Sequence, residues 1–223
     1  MAEPLARSVD GADGRLTAAA VTFGSATLHE AAGQIGVLSS AIVTRTPGLP
    51  LAGWAYPVAC PANDNLWLHR AVYAARPGDV LVVDVGGAYE AGYWGEILSW
   101  AARARGLAGV VIDGGVRDTA RLAGIGVPVF SRCCSIRGTA KRPDGRGVLN
   151  QPTVVGGLTV KPGDLVVGDD DGVVLLPRAD VPGILAAARA RQDKETEIIA
   201  QIQEGRTTLE LFGLDGAVPP PRR

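Results

Sequence analysis

Glu96, Arg117 and Asp118 are the residues whose types and spacing suit chemistry on a small anion. Twenty residues separate Glu96 from Arg117, a distance that one helix and one strand can fold back onto a single point. Arg117 offers a planar fork for a carboxylate and an adjacent carbonyl oxygen, while Asp118 and Glu96 supply hard oxygen donors for a divalent cation, directly or through water. Gly95 precedes a predicted helix, so the amides of Glu96, Ile97 and Leu98 lack intrahelical partners. They sit at the positive end of the helix dipole, where a small carboxylate fits. A cation held beside them would polarise a 2-oxo acid and stabilise the enolate left when its C–C bond breaks. A plainer reading stands beside this one, with Glu96 as an ordinary first-turn acid and Arg117-Asp118 as a cap on the next helix. Periodicity does not choose between them.

The elements that must position these residues are legible around them. A helix from Glu96 to Arg105 stops at Gly106, the apolar run Val110–Ile112 reads as a buried strand, and Gly114-Gly115 turns the chain into Arg117-Asp118. A short helix (119–123) and a strand (127–130) follow. Upstream, the glycine- and aromatic-rich stretch 86–95 suits a loop whose backbone approaches something closely. Ser25 is expected to cap a helix carrying Leu28, Ala31, Ala32 and Ile35. The strand from Leu51 to Tyr56 is expected to end at Pro57, and Asn63-Asp64-Asn65 to cap a helix carrying Leu66, Ala71, Val72 and Ala75. PGDVLVVD at 77–84 has a counterpart in PGDLVVGD at 162–169, each a Pro-Gly turn feeding a strand, and neither Asp79 nor Asp164 is given a catalytic role.

Residues 131–152 are basic and loop-like, with no firm element. Asp169-Asp170-Asp171-Gly172 lacks the alternating spacing of a calcium loop and reads as a hairpin turn. The C-terminal helix begins after Pro177, carries a charged cluster from Arg189 to Glu197 and ends near Gly205. A mobile lead-in over 1–20, one domain over 21–214 and a frayed tail over 215–223 complete the expected organisation.

Composition narrows the class. Lys+Arg 22 against Asp+Glu 23 leaves a formal charge of −1, so no basic excess points to nucleic acid as the main partner. No apolar run is long enough to span a bilayer and the N-terminus shows no signal pattern, so a cytoplasmic location is expected. Cys60, Cys133 and Cys134 have no zinc spacing and read as free thiols; His29 and His69 lie in helix-like segments and read as packing or surface residues.

The stretches 77–84, 95–118 (GEILSWAARARGLAGVVIDGGVRD), 127–130 and 162–177 together resemble the RraA-like family. That family contains class II 4-hydroxy-4-methyl-2-oxoglutarate / 4-carboxy-4-hydroxy-2-oxoadipate aldolases and regulators of RNase E. Its aldolases carry an acid, twenty residues and Arg-Asp, matched here by Glu96, Arg117 and Asp118, with Glu where Asp is common. The resemblance implies an α/β domain of β/β/α layers similar to the phosphohistidine swivelling domains. It further implies Mg²⁺ or Mn²⁺ held directly by Asp118 and through water by Glu96, and Arg117 orienting pyruvate and its enolate. The pyruvate carboxylate would lie on the amides of Ile97 and Leu98 beside Gly95. A further acid would come from a neighbouring subunit of a trimer or dimer of trimers: Glu195, with Asp193 and Glu197 as alternatives. The implied activity is aldol cleavage or synthesis of a 4-hydroxy-2-oxo acid, with oxaloacetate decarboxylation alongside; the alternative is a non-catalytic regulator of an RNA-degrading enzyme. Selection of the group beyond pyruvate falls to Tyr89, Tyr93 and Trp94, or to Arg132, Arg137 and Lys141. No general base is evident in 95–118.

Overall fold

The structure is a computed structural model and describes residues 11–214. Its strands, in chain order, are β1 (Val43–Thr44), β2 (Leu51–Ala59), β3 (Asp79–Asp84), β4 (Gly92–Trp94), β5 (Gly109–Val116), β6 (Val129–Cys134), β7 (Val148–Leu149), β8 (Thr153–Val155), β9 (Leu158–Val160), β10 (Leu165–Asp169) and β11 (Gly172–Leu176). The helices are α1 (Ala12–Phe23), α2 (Ser25–Ala31), α3 (Leu66–Ala74), α4 (Glu96–Arg105), α5 (Thr119–Ile125), α6 (Val181–Gln203) and α7 (Thr208–Phe212).

One mixed sheet runs β1-β6-β5-β3-β2-β10-β11, with β4 added beside β5 and β7 beside β2; β8 and β9 form a separate ribbon. Strands β2, β3, β5 and β6 are parallel, and β10 and β11 form the predicted hairpin. The segment before β2 spans the two sheet edges, because Val37 bridges Val174 of β11 while Val43-Thr44 pairs with β6. The sheet thereby closes nearly into a barrel.

The parallel strands are near-continuous apolar runs because both faces are covered. In β3, Val80 and Val82 point inward with Leu51, Val111, Phe130 and Val166. Leu81 and Val83 point outward beneath Leu68 and Val72 of α3, Leu98 and Ala102 of α4, and Leu122 of α5. This alternation puts α3, α4 and α5 on one outer face. α1, α2 and α6 cover β10 and β11 through Phe23, Leu28, Ile184 and Ala188. Layered α/β architecture with a C-terminal helix is as expected.

Six local expectations change. Gly92–Trp94 form β4 within the stretch read as a loop, and Gly114-Gly115 continue β5, with a register shift against β6, rather than turning the chain. Residues 12–20 are helical rather than mobile, with Ala20 fully buried; an alanine-rich packing face carries little periodic signal. Residues 1–10 and the tail 215–223 lie outside the described residues. Strand β2 runs through Pro57 to Ala59. The Pro57 carbonyl accepts from Asn150 N at 2.9 Å, on the side away from β3, where β10 has left the sheet and β7 has barely begun. Its missing N–H therefore costs no β3 ladder bond. Ser25 starts α2 without capping it. Its amide and Oγ both donate to Asp169, each at 2.6 Å, which ties α2 to the hairpin. Residues 131–152 contribute the end of β6 and all of β7. Asp79 and Asp164 do the same local work in the paired Pro-Gly turns, each accepting a backbone amide three residues earlier at 2.8 Å.

Candidate active site

The parallel strands deliver their carboxyl ends to one rim of the sheet, and the chain reverses there twice. After β4, Gly95 opens α4; after β5, Arg117-Asp118 opens α5. The two turns are stitched together where Arg117 N donates to Trp94 O at 2.9 Å. Buried Trp94 donates through Nε1 to Ser99 Oγ at 2.7 Å, and Ser99 Oγ donates to Gly95 O at 3.0 Å, which fixes the first turn of α4 against β4.

Asp118 has φ 59, in the left-handed region. A non-glycine residue held there is mildly strained and marks an over-determined position. This conformation aims its carboxylate back at α4, where Oδ2 accepts the amide of Glu96 at 3.1 Å. Arg117 Nε lies 3.7 Å from the same oxygen. Gly95 makes the approach possible, since a Cβ there would meet Asp118 Oδ2 at 2.6 Å and Arg117 Cγ at 3.0 Å. A Cβ on Gly92 would meet Ser135 O at 2.6 Å and Arg117 Cδ at 3.1 Å. Two side-chain-free positions thus form the cradle for the Arg-Asp pair.

Arg117, Asp118 and the start of α4 are therefore brought together, with one change of detail. The Glu96 amide is occupied by Asp118, and its carboxylate turns to Arg121 Nη1 at 2.9 Å. The amides of Ile97 and Leu98 have no acceptor among the described residues. Both residues line a cleft with Gly95, Arg117 and Asp118 that encloses about 410 Å³, its open mouth included.

The far wall comes from α3 and the loop after β6. Buried Asp64 organises it, accepting Leu66 N through Oδ1 at 2.8 Å and Arg142 N through Oδ2 at 2.6 Å. The Ala140 amide donates to Asn63 O at 2.8 Å and its carbonyl accepts Asn65 N at 3.0 Å. This clamp carries Lys141, Asn65 and His69 to the cleft. Asn65 is 6 % exposed; its Nδ2 donates to Tyr93 O at 2.8 Å while its Oδ1 has no partner among the described residues. The Tyr93 hydroxyl donates to Ala88 O at 2.8 Å and accepts Asn63 N at 2.7 Å. Burial, and then the charge of Lys141, push the His69 imidazole below its ordinary pKa. Asn65 and His69 were not expected here. The signal for Asn65 was present, in a capping triplet read only as local structure.

The outer-pocket candidates separate. Tyr93, Trp94 and Lys141 line the cleft. Arg132 instead pairs with buried Asp113 and stacks 4.5 Å over the Tyr89 ring, while Arg137 borders a neighbouring groove with Tyr89 and Glu90. Glu195 lies on α6, bonded to Arg191 at 2.9 Å, and α6 packs on α1 and α2, away from the cleft of its own chain.

Two cations against one carboxylate line the cleft, which favours an anionic ligand. Among the described residues of one chain no three His, Cys, Asp or Glu side chains gather as a metal cluster. Asp118 presents one carboxylate to the cleft, the kind of hard oxygen donor that Mg²⁺ takes alongside its waters. No helix of the described residues is long and apolar enough to cross a membrane.

Comparison with known proteins places the sequence and the fold among relatives. The sequence model of the RraA-like family (Aldolase/RraA) matches residues 25–175. A Halalkalibacterium halodurans protein named provisionally as a 4-hydroxy-4-methyl-2-oxoglutarate aldolase is 35% identical over 155 residues, covering 70% of this chain and 73% of its own. An uncharacterised protein from Pseudomonas syringae superposes with TM-score 0.76 at 28% identity, over 86% of this chain and 90% of that one. The RNA-processing inhibitor RraA from Thermus thermophilus superposes with TM-score 0.62 at 28% identity, over 69% and 92%.

Proposed function

We propose that this chain, which belongs to the RraA-like family, is a divalent-cation-dependent aldolase that cleaves or forms a 4-hydroxy-2-oxo acid through a pyruvate enolate. One observation carries the reading: Arg117 and Asp118 are pressed into the Gly92 and Gly95 recess beside the two free amides of α4. A structural cap would not need the glycine recess.

The Ile97 and Leu98 amides bind the carboxylate of the 2-oxo acid, with the helix dipole behind them. Arg117 holds the carboxylate and 2-oxo oxygens in one plane, and its charge meets the negative charge that grows on the 2-oxo oxygen as C3–C4 breaks. Mg²⁺ or Mn²⁺, held by Asp118 and through water by Glu96 and by Glu195 of a neighbouring copy, would supply Lewis acidity at the 2-oxo group. Lys141 faces the distal end, where a second carboxylate of the substrate would lie. Oxaloacetate decarboxylation follows from the same enolate. Glu195 makes the site one shared between copies in a trimer or dimer of trimers.

The test is pyruvate release from 4-hydroxy-4-methyl-2-oxoglutarate and oxaloacetate with Mg²⁺ or Mn²⁺. Turnover abolished by EDTA and by Asp118→Ala is expected; full activity under either condition would refute the reading. The likeness to the Thermus RNA-processing inhibitor motivates a second reading, a surface that binds an RNA-degrading enzyme. Tight capture of such an enzyme by a chain that turns over no 2-oxo acid would favour it.

A further inference from the structure

We propose that His69 is the proton-transfer residue of the cleft, taking the proton of the substrate's 4-hydroxyl and delivering it to C3 of the enolate. The proposal rests on the aldolase reading above. As the hydroxyl proton passes to the imidazole, the C4–O bond becomes a carbonyl and C3–C4 breaks, its electron pair moving into the 2-oxo group. The imidazolium then protonates C3, which becomes the methyl carbon of pyruvate, and neutral imidazole is restored. No oxidant or net proton is consumed.

Among this chain's own side chains lining the cleft, the others are already committed. Arg117 and Lys141 offer donors and no acceptor for a proton. The Tyr93 hydroxyl donates to Ala88 O and accepts from Asn63 N. Asn65 is an amide that exchanges no proton, and its Nδ2 is held by Tyr93 O. Asp118 Oδ2 holds the Glu96 amide, and the Glu96 carboxylate is turned to Arg121.

His69 differs from all of them. It lies four residues after Asn65 on α3, so both face the cleft from the same side of the helix. Its imidazole is half-buried and has no hydrogen-bond partner among the described residues. The charged and titratable groups around that cleft are Lys141 from the loop after β6, Arg117 and Asp118 from the β5–α5 turn, and Tyr93 from β4. On α3 itself, Arg70 is stacked over Trp67 at 4.6 Å. Burial first, and then Lys141, lower the imidazole pKa from 6.5. The neutral form that a base requires is therefore present at neutral pH.

The chain's two histidines make a direct test possible. In proton NMR spectra, one imidazole C2–H resonance should move on titration with pyruvate or oxalate and be missing in His69→Gln. That of His29, whose Nδ1 lies 2.9 Å from Ile35 O, should stay. In kinetics, His69→Gln should lower kcat by about 10²–10⁴-fold, the range of general acid–base catalysis. Its pyruvate affinity should stay within about twofold of wild type, because no ground-state contact is removed. The fall in kcat/KM on the acid side of the wild-type profile should disappear in the variant. Wild-type turnover by His69→Gln, or a His69 resonance unmoved by saturating pyruvate, would overturn the proposal alone. Failure of the wild-type chain to turn over any 4-hydroxy-2-oxo acid would overturn the aldolase reading and this proposal together. Should His69→Gln fail to fold, the wild-type resonance decides.

Discussion

Gly95→Ala isolates the recess that holds the Arg-Asp pair. At φ −170 and ψ −161 the Gly95 backbone is extended and accepts alanine without strain, so any effect comes from the added methyl. That methyl would sit 2.6 Å from Asp118 Oδ2 and 3.0 Å from Arg117 Cγ, whereas ordinary contacts begin near 3.4 Å. Asp118 cannot simply swing away, because its left-handed backbone and the Glu96 amide fix it. Over-packing of this kind costs about 1–3 kcal/mol. In a domain of this size each kcal/mol moves Tm by about 2–4 °C. Activity should suffer more than stability, since displacing a catalytic group by about 1 Å lowers the rate roughly 10²-fold. Gly124→Ala is the control: its Cβ meets nothing within 4 Å, and alanine in α5 should stabilise by up to about 1 kcal/mol. Thermal unfolding and steady-state pyruvate release, measured on both variants, check the argument. A Gly95→Ala chain with wild-type Tm and kcat/KM would refute the recess.

Ile97→Pro deletes one of the two open amides, and α6 already tolerates Pro182 at the same second helical position. It should leave Tm nearly unchanged and raise the KM for pyruvate-yielding acids about tenfold, the worth of one charge-assisted hydrogen bond. Asp113→Asn strips the charge from the partner of Arg132 while keeping an acceptor for Gly156 N, now at 3.0 Å. A loss of about 2 kcal/mol in urea unfolding is expected from a hydrogen bond to a charged group. Burial pushes the Cys60 thiol up to about 12, so it stays protonated and inert at pH 8. Alkylation followed by mass spectrometry should mark exposed Cys134 first and Cys60 only after unfolding. Glu195→Gln should weaken Mg²⁺-dependent turnover without changing Tm, and unaltered metal dependence would remove Glu195 from the site.

The half of the site within 95–118 was legible because it is local. A helix with a glycine stop and an apolar strand fix how far Arg117 lies from Gly95, and each leaves a period or a breaker in the sequence; Gly114-Gly115, read as a turn, instead continue β5. The opposite wall was not legible. Asn65 and His69 reach the cleft because buried Asp64 draws the 140–142 backbone onto the start of α3, a contact of 78 residues in sequence. A side chain bonded to distant backbone imposes no periodicity. The turn of the Glu96 carboxylate toward Arg121 was hidden for a related reason: spacing places a Cα, whereas a rotamer answers to whichever charge stands nearest. Helix α1 was missed because alanine packs well and signals weakly. Pro57 misled because an interruption in the neighbouring strands, invisible along β2, removes the penalty that proline normally carries.

The left-handed backbone at Asp118 has an evolutionary consequence. Few side chains other than glycine settle at such a φ, and asparagine and aspartate are foremost among them. Aspartate and asparagine codons differ by a single base, so one mutation removes the charge while leaving the turn, the recess and the capped helix intact. On the aldolase reading proposed above, a lineage carrying this fold has a short, structurally silent route out of catalysis. Its surface survives unaltered on the far side of that step, free to be selected for holding another macromolecule instead of turning over an acid.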